Sequence, residues 1–127
     1  MTATPAPPGL GIDLIEIERV ESALARRPRL ADRLFRPGEL DAAAGRSRPG
    51  RHLAARFAAK EAAIKALGGA CGPRDVEVVG GPIPALRLHG RAHAAAAAAG
   101  VELAVSMTHS RDAAAAVVIA RLGSDPV

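Results

Sequence analysis

The sequence has no tryptophan and no tyrosine, and its aromatic residues are limited to Phe35 and Phe57. Aliphatic side chains and alanine must therefore fill the core of this chain of 127 residues, which has the length of one ordinary domain. Proteins that bind single-stranded nucleic acid without sequence preference stack bases on aromatic side chains, and this composition supplies almost none. We therefore expect no nucleic-acid partner, although the net charge of +4 suits other anionic partners.

Cysteine and long apolar runs are also scarce. Cys71 is the single cysteine, which excludes an intrachain disulfide and predicts a reducing, cytoplasmic location. The first residues, MTATPAPP, have neither the basic head nor the apolar stretch of a signal peptide, and no run approaches the ~20 apolar residues of a membrane span. The sequence thus predicts no membrane contact, a flexible tail over residues 1–8, one domain over residues 9–122 and a second tail over residues 123–127.

Apolar periodicity predicts an α+β domain in which a mostly antiparallel sheet packs on a long central helix. Turns containing glycine and proline separate the periodic segments. The predicted order is a strand from residue 9, a helix over 17–27, short helical turns and loop over 29–50, the long helix over 53–67, strands over 75–79 and 85–89, a helix over 91–99, and a hairpin of strands 101–109 and 113–121.

One acidic residue interrupts the first predicted strand. Asp13 shares a strand face with Gly11 and Ile15, and a buried carboxylate needs a cation, hydrogen-bond donors or water. Two interpretations stay open for Asp13: it caps or salt-bridges the junction between strand and helix, or it binds a metal ion.

The long helix carries both lysines of the chain, Lys60 and Lys65, and Glu61 lies one turn before Lys65. Glu61 and Lys65 could form a solvated i,i+4 ion pair. Alternatively, Glu61 shares a hard cation with Asp13 while Lys65 contacts phosphate oxygens, and Mg²⁺ favours sites with one or two carboxylates, substrate phosphates and water.

His109 ends a predicted strand before a turn, where it is either an edge residue or a phosphate or sugar contact. The sequence gives no explanation for Lys60, which lies near the centre of the apolar stripe.

Three segments, GLGIDLIEIERV, RFAAKEAAIKALG and VSMTHSRDAAAAVVI, resemble in sequence and spacing the three motifs of holo-acyl-carrier-protein synthases, the small trimeric class of 4'-phosphopantetheinyl transferases. The resemblance extends over residues 9–121. It implies the 4'-phosphopantetheinyl transferase fold and a homotrimer with sites at subunit interfaces. It also implies transfer of 4'-phosphopantetheine from coenzyme A to a serine of an acyl carrier protein, with release of adenosine 3',5'-bisphosphate, in fatty-acid or polyketide synthesis.

The same resemblance assigns metal-binding, catalytic and nucleotide-binding roles to five residues. Asp13 and Glu61 match the family's Mg²⁺ ligands, with the pyrophosphate of coenzyme A and water completing the coordination. Lys65 matches a basic residue at the pyrophosphate, and Glu61 and Lys65 are the predicted catalytic pair. Arg56 and His109 match positions that contact the adenosine and its 3'-phosphate. Glu61 and a water molecule both remain candidates for the base that removes the serine proton.

Docking of the carrier protein is predicted on the first helix. Arg19 matches a family position that meets the acidic carrier protein, and Arg26 falls on nearly the same helix face. Larger monomeric relatives have a third carboxylate two residues after the first aspartate, where this chain has Ile15. Two departures from the family pattern are the short loop GGACGPR after the long helix and the segment GPIP, residues 81–84, in place of a Gly-Lys-Pro turn.

Two other functions fit parts of the pattern. A different magnesium-dependent phosphoryl transferase or nuclease could use the same pair of Asp13 and Glu61. A small basic nucleic-acid-binding domain would instead depend on net charge, with a steep salt dependence and no need for Asp13.

Overall fold

The computed structural model describes residues 9–123, so the predicted tail over residues 1–8 and all but the first residue of the predicted tail over residues 123–127 lie outside the described part. The elements follow one another in the order that the sequence predicts. Two short helices occupy the region predicted as short helical turns and loop. Their bounds are β1 Leu10–Glu16, α1 Ile17–Arg26, α2 Leu30–Leu34, α3 Pro37–Ala44, α4 Pro49–Ala66, a 3₁₀ turn Pro73–Asp75, β2 Val76–Val79, β3 Ala85–Leu88, α5 Gly90–Ala99, β4 Val101–His109 and β5 Ala113–Leu122. The predicted α+β class and the mostly antiparallel sheet are confirmed.

The main sheet has three antiparallel strands in the order β1–β5–β4, and β2 and β3 form a separate antiparallel pair. The predicted hairpin over residues 101–121 is confirmed as β4 and β5. Its turn is closed by Ser110, whose N–H donates to the Ala113 carbonyl oxygen at 2.8 Å and whose hydroxyl accepts from the Ala113 N–H at 3.1 Å. This turn fixes the end of β4, where His109 lies.

The central helix α4 packs closely on one face of the main sheet. Alanine makes this possible, because six alanines of α4 have almost no solvent exposure: Ala54, Ala58, Ala59, Ala62, Ala63 and Ala66. The approach to β1 is so close that a Cβ at Gly11 would overlap the Ala62 carbonyl oxygen. Small residues on both elements therefore place the inward-facing side of β1, including Asp13, directly against α4.

The opposite face of the main sheet is not covered within residues 9–123. Leu10, Ile12 and Leu14 of β1 are 66%, 65% and 72% exposed, and Ile119, which pairs with Leu10, is 52% exposed. We call this apolar surface the outer sheet face. The predicted alternation of β1 is confirmed, with Gly11 buried and Asp13 partly buried on the inward side.

Residues 29–50 contain more regular structure than the sequence predicts. This region forms α2 and α3, and α4 begins at Pro49 rather than at residue 53. Both Pro37 and Pro49 occupy the first turn of a helix, where the missing N–H costs nothing, so they start helices instead of breaking them. None of the helices among the described residues is long and apolar enough to cross a membrane.

Candidate active site

Asp13 of β1 and Glu61 of α4 line the same cavity. This cavity, which we call the carboxylate cavity, has a volume of about 620 Å³ and lies between β1, α1, α2 and α4. The close packing of β1 on α4 at Gly11 brings the two acidic residues to one place. No hydrogen bond in the described part uses Asp13 as a helix cap, so an ion pair with Lys65 and a metal ligand are the two interpretations that the structure leaves for Asp13.

The charges in the carboxylate cavity are unbalanced. Burial, and next the negative charge of Asp13, raise the pKa of Glu61, and Lys65 only partly opposes this rise. Lys65 Nζ lies 3.5 Å from Asp13 Oδ1 and donates to the Ile12 carbonyl oxygen at 2.9 Å. The Lys65 side chain is 56% exposed, so it is accessible to a ligand.

This arrangement fits a hard divalent cation. Two carboxylates that repel each other would both be stabilised in their ionised form by a shared cation. No group of three acidic, histidine or cysteine side chains suited to a metal occurs among residues 9–123. A site with only Asp13 and Glu61 leaves positions for phosphate oxygens and water, which is the composition that Mg²⁺ prefers.

Arg56 and His109 line a second cavity, of about 650 Å³, which we call the basic cavity. Arg56 comes from α4 and His109 from the end of β4. The carboxylate cavity and the basic cavity have no lining residue in common. The structure therefore brings the predicted site residues together as two groups within one chain rather than as one group.

The basic cavity contains more arginine and histidine residues than the sequence predicts. Its lining also includes Arg46, Arg48, Arg51 and His52. Arg46, Arg48 and Arg51 all lie within the ten residues before Arg56, around the start of α4. This cluster of arginines was the available sequence signal. The segment over residues 81–84, which stands in place of the Gly-Lys-Pro turn of the family pattern, contributes Gly81, Pro82 and Pro84 to the lining of the same cavity.

Arg56 and His52 interact directly, one helical turn apart. The Arg56 Nη1–H donates to His52 Nδ1 at 3.3 Å. Burial, followed by the charges of Arg56 and Arg46, lowers the pKa of His52 to about 4. His52 is therefore neutral near pH 7.

This shift predicts how stability depends on pH. The unfolded chain protonates His52 near pH 6.5, whereas the folded chain resists protonation until about pH 4. Between these values the unfolded state binds more protons, so His52 lowers the free energy of unfolding as the pH falls from 6.5 to 4. We expect His52→Asn to lose less stability than the unsubstituted chain over this range in urea denaturation. Equal losses in both proteins would contradict a buried neutral His52, since the carboxylates titrate in both.

The predicted docking residues lie on α1, on the exposed side of the helix. Arg19 lines the carboxylate cavity together with apolar residues that include Leu30, Leu34 and Phe57. Arg26 lines an adjoining smaller cavity that also includes Leu30 and three further arginines, Arg27, Arg29 and Arg33. Within the part of the chain that the structure describes, neither Arg19 nor Arg26 forms an ion pair.

Lys60, unexplained by the sequence, forms a fully buried ion pair with Glu39. Lys60 Nζ donates to Glu39 Oε1 at 2.7 Å and to the carbonyl oxygens of Val76 at 2.6 Å and Pro73 at 3.0 Å. The other Glu39 oxygen accepts the Val78 N–H at 3.1 Å. This network joins α3, α4 and the short loop that departs from the family pattern, so Lys60 has a structural role and lies outside both cavities.

Residues 9–118 match the family described as the 4'-phosphopantetheinyl transferase superfamily, and the chain belongs to that superfamily. The holo-[acyl-carrier-protein] synthase of Moorella thermoacetica is 48% identical over 115 residues, which cover 86% of this chain and 90% of the relative. The holo-[acyl-carrier-protein] synthase of Streptomyces griseus subsp. griseus is 49% identical over 117 residues, covering 88% and 96%.

Solved structures agree with these relatives. An ACPS–CoA complex from Chronobacterium ammoniagenes is 31% identical and superposes with a TM-score of 0.79, covering 91% of this chain and 98% of that one. The resemblance to holo-acyl-carrier-protein synthases and the predicted 4'-phosphopantetheinyl transferase fold are therefore confirmed.

Proposed function

We propose that this enzyme transfers 4'-phosphopantetheine from coenzyme A to a serine of an apo-acyl carrier protein, as the names of its relatives indicate. The new bond joins the serine oxygen to the β-phosphorus of the pyrophosphate, and adenosine 3',5'-bisphosphate leaves. The observation that carries this proposal is the pairing of Asp13 with Glu61 in one cavity, with Lys65 Nζ 3.5 Å from Asp13 Oδ1. The reaction would supply holo carrier protein to fatty-acid or polyketide synthesis in the cytoplasm.

Asp13 and Glu61 would hold Mg²⁺, which when bound would neutralise charge that builds on the phosphate oxygens during transfer. Lys65 supplies a second positive charge at the pyrophosphate, since its ammonium group is exposed beside Asp13. Glu61 and a water molecule are the two candidate acceptors for the serine proton. Without metal, burial and the charge of Asp13 raise the pKa of Glu61, and a cation bound by both carboxylates would oppose this rise.

The basic cavity would bind the nucleotide end of coenzyme A. Arg56 and His109 would contact the adenosine and its 3'-phosphate. Arg46 and Arg51 add positive charge there, whereas Arg48 is paired with Glu21 at 2.9 Å. Arginine suits this role because it remains protonated and offers a planar set of donors for phosphate oxygens.

A homotrimer would join the two cavities into complete sites. The outer sheet face is apolar and exposed in the single chain, and burying such a surface between subunits is favourable. Because the carboxylate and basic cavities share no lining residue, each site would combine the carboxylate cavity of one subunit with the basic cavity of its neighbour.

Subunit sharing predicts complementation between two impaired variants. Asp13→Ala disables the carboxylate cavity and His109→Ala impairs the basic cavity. Trimers reassembled from both variants should regain activity at interfaces that combine the unsubstituted cavities. The measurement is transfer activity of the mixed trimers against each variant alone. If trimers with verified mixed composition stay as impaired as the parents, each site lies within one chain.

Arg19 and Arg26 would dock the acidic carrier protein beside the carboxylate cavity. Both side chains are exposed and free of ion pairs within residues 9–123, so their charge is available to a partner. The apolar wall of the carboxylate cavity, including Leu30, Leu34 and Phe57, offers contact area next to these charges. Charges at the rim of an interface act mainly on association and are screened over about 8–10 Å at physiological salt.

Charge reversal at both positions tests the docking surface. Arg19→Glu with Arg26→Glu should raise KM for the carrier protein at least about tenfold, flatten its salt dependence and leave coenzyme A affinity unchanged. Steady-state kinetics at several salt concentrations measure the first two effects. A fall in coenzyme A affinity with unchanged KM for the carrier protein would assign α1 to the nucleotide instead.

Product analysis tests the proposed reaction. Adenosine 3',5'-bisphosphate should be released only when apo carrier protein, coenzyme A and Mg²⁺ are all present. Release that does not require the carrier protein would instead support a hydrolase or a different phosphoryl transferase. Tight binding of DNA or RNA that persists in Asp13→Ala would support the nucleic-acid alternative.

A further inference from the structure

The neutral imidazole of His52 meets the most buried arginine of the basic cavity. We propose that His52 is a positioning residue, which holds the Arg56 guanidinium in the orientation that binds a phosphate of the nucleotide. This inference rests on the proposed function, because it takes the basic cavity as the nucleotide site. His52 does not itself need to touch the ligand.

The geometry leaves only one assignment of the ring protons. A guanidinium has donors and no acceptor, so the contact of 3.3 Å from Arg56 Nη1 makes His52 Nδ1 the acceptor. The ring proton must then lie on His52 Nε2. Residues 52 and 56 are one turn apart on α4, which keeps the two side chains on the same helix face.

Arg56 is fixed at one nitrogen and otherwise short of partners. Its exposure is only 9%, and its Nε has no hydrogen-bond partner among the described residues. Arg56 forms no ion pair with a carboxylate in the same part of the chain. A buried guanidinium without a counter-ion is unfavourable, and a bound anion would relieve this cost.

A neutral acceptor at residue 52 has a specific advantage over a charged one. A carboxylate there would orient Arg56 equally well, but it would also neutralise the charge that the cavity offers to an anion. A neutral imidazole orients the guanidinium and leaves its full charge for the ligand. Burial, followed by the charges of Arg56 and Arg46, keeps His52 in this neutral form by lowering its pKa.

Three substitutions of nearly equal size separate these effects. His52→Asn keeps a neutral acceptor near the position of Nδ1, His52→Leu removes the acceptor, and His52→Asp keeps the acceptor but adds a negative charge. The probe is adenosine 3',5'-bisphosphate, titrated calorimetrically into the full chain without metal or carrier protein. Circular dichroism and thermal melts establish that each variant is folded.

We expect His52→Asn to bind within about threefold of the unsubstituted chain and His52→Leu to bind roughly tenfold more weakly, as for loss of a hydrogen bond to a charged group. His52→Asp should bind at least as weakly as His52→Leu and with a shallower salt dependence. In steady-state kinetics the loss should fall on KM for coenzyme A rather than on turnover, whereas general destabilisation would lower the active fraction and thus turnover.

Arg56→Met separates failure of this inference from failure of the proposed function. If Arg56→Met binds adenosine 3',5'-bisphosphate as tightly as the unsubstituted chain, the basic cavity is not the nucleotide site and both proposals fall. If Arg56→Met loses binding while the Asn, Leu and Asp variants at residue 52 all bind equally, only the role of His52 is wrong. Should His52→Leu fail to fold, equal binding by the Asn and Asp variants would overturn the inference by itself.

Discussion

Glu61→Gln should reduce transfer by roughly 10²- to 10³-fold or more while leaving the free energy of unfolding unchanged or slightly higher. Glutamine keeps the shape of the side chain but removes the charge that would bind Mg²⁺. Stability should not fall, because Glu61 binds its proton more tightly in the folded than in the unfolded state. Its ionisation above pH 4.5 therefore costs the folded state free energy, and the amide avoids that cost.

Asp13→Asn tests the second proposed Mg²⁺ ligand and should reduce transfer to a similar extent. Activity is measured as modified carrier protein, and stability is measured by urea denaturation without Mg²⁺. Mg²⁺ should add to the stabilisation by coenzyme A in the unsubstituted chain and in neither variant, since ligand binding to the folded state raises its stability. Full activity in either variant would contradict the metal site, and a large loss of stability in Glu61→Gln would indicate a structural carboxylate instead.

Lys60→Met should destabilise the fold by about 3–5 kcal/mol, because it leaves Glu39 as a buried and unpaired charge. Lys60 Nζ also donates to two backbone carbonyl oxygens, which would lose their partner. A domain of this size has only about 5–15 kcal/mol of stability in total, so a marginal or unfolded protein is the expected result. The measurement is the free energy of unfolding in urea.

Lys65→Met provides the matched control for this loss. The chemical change is the same and both lysines lie on α4, but the Lys65 side chain is 56% exposed and should lose less than about 1 kcal/mol. The double variant Lys60→Met with Glu39→Leu should recover part of the stability, since no charge is then left buried. Similar stabilities of Lys60→Met and Lys65→Met would contradict the buried ion pair.

Periodic elements of this fold were predictable from the sequence, whereas the number and bounds of its short helices were not. Alternation along β1 and the hairpin of β4 and β5 extend over enough residues to give a clear pattern. By contrast, α2 has five residues and α3 has eight, which is too short for a helical period to be evident. Pro37 and Pro49 also misled the prediction, because proline is compatible with the first turn of a helix as well as with a loop.

The sequence predicts the residues of the candidate site one by one, but not their arrangement. Motif resemblance singled out Asp13, Glu61 and Lys65, and the structure brings them together at the contact between β1 and α4. Separation of the basic cavity from the carboxylate cavity depends on packing, which no local spacing encodes. The ion pair of Lys60 with Glu39 joins residues 21 positions apart, and Glu39 lies in the region without a periodic signal.

Intact-mass spectrometry of an apo-acyl carrier protein tests the central claim most directly. After incubation with the enzyme, coenzyme A and Mg²⁺, the carrier protein should gain the mass of one phosphopantetheine group on its serine. The gain should disappear with a chelator and with Glu61→Gln. No gain in mass across carrier proteins from fatty-acid, polyketide and peptide synthesis, with folded enzyme that binds coenzyme A, would contradict the proposed transfer.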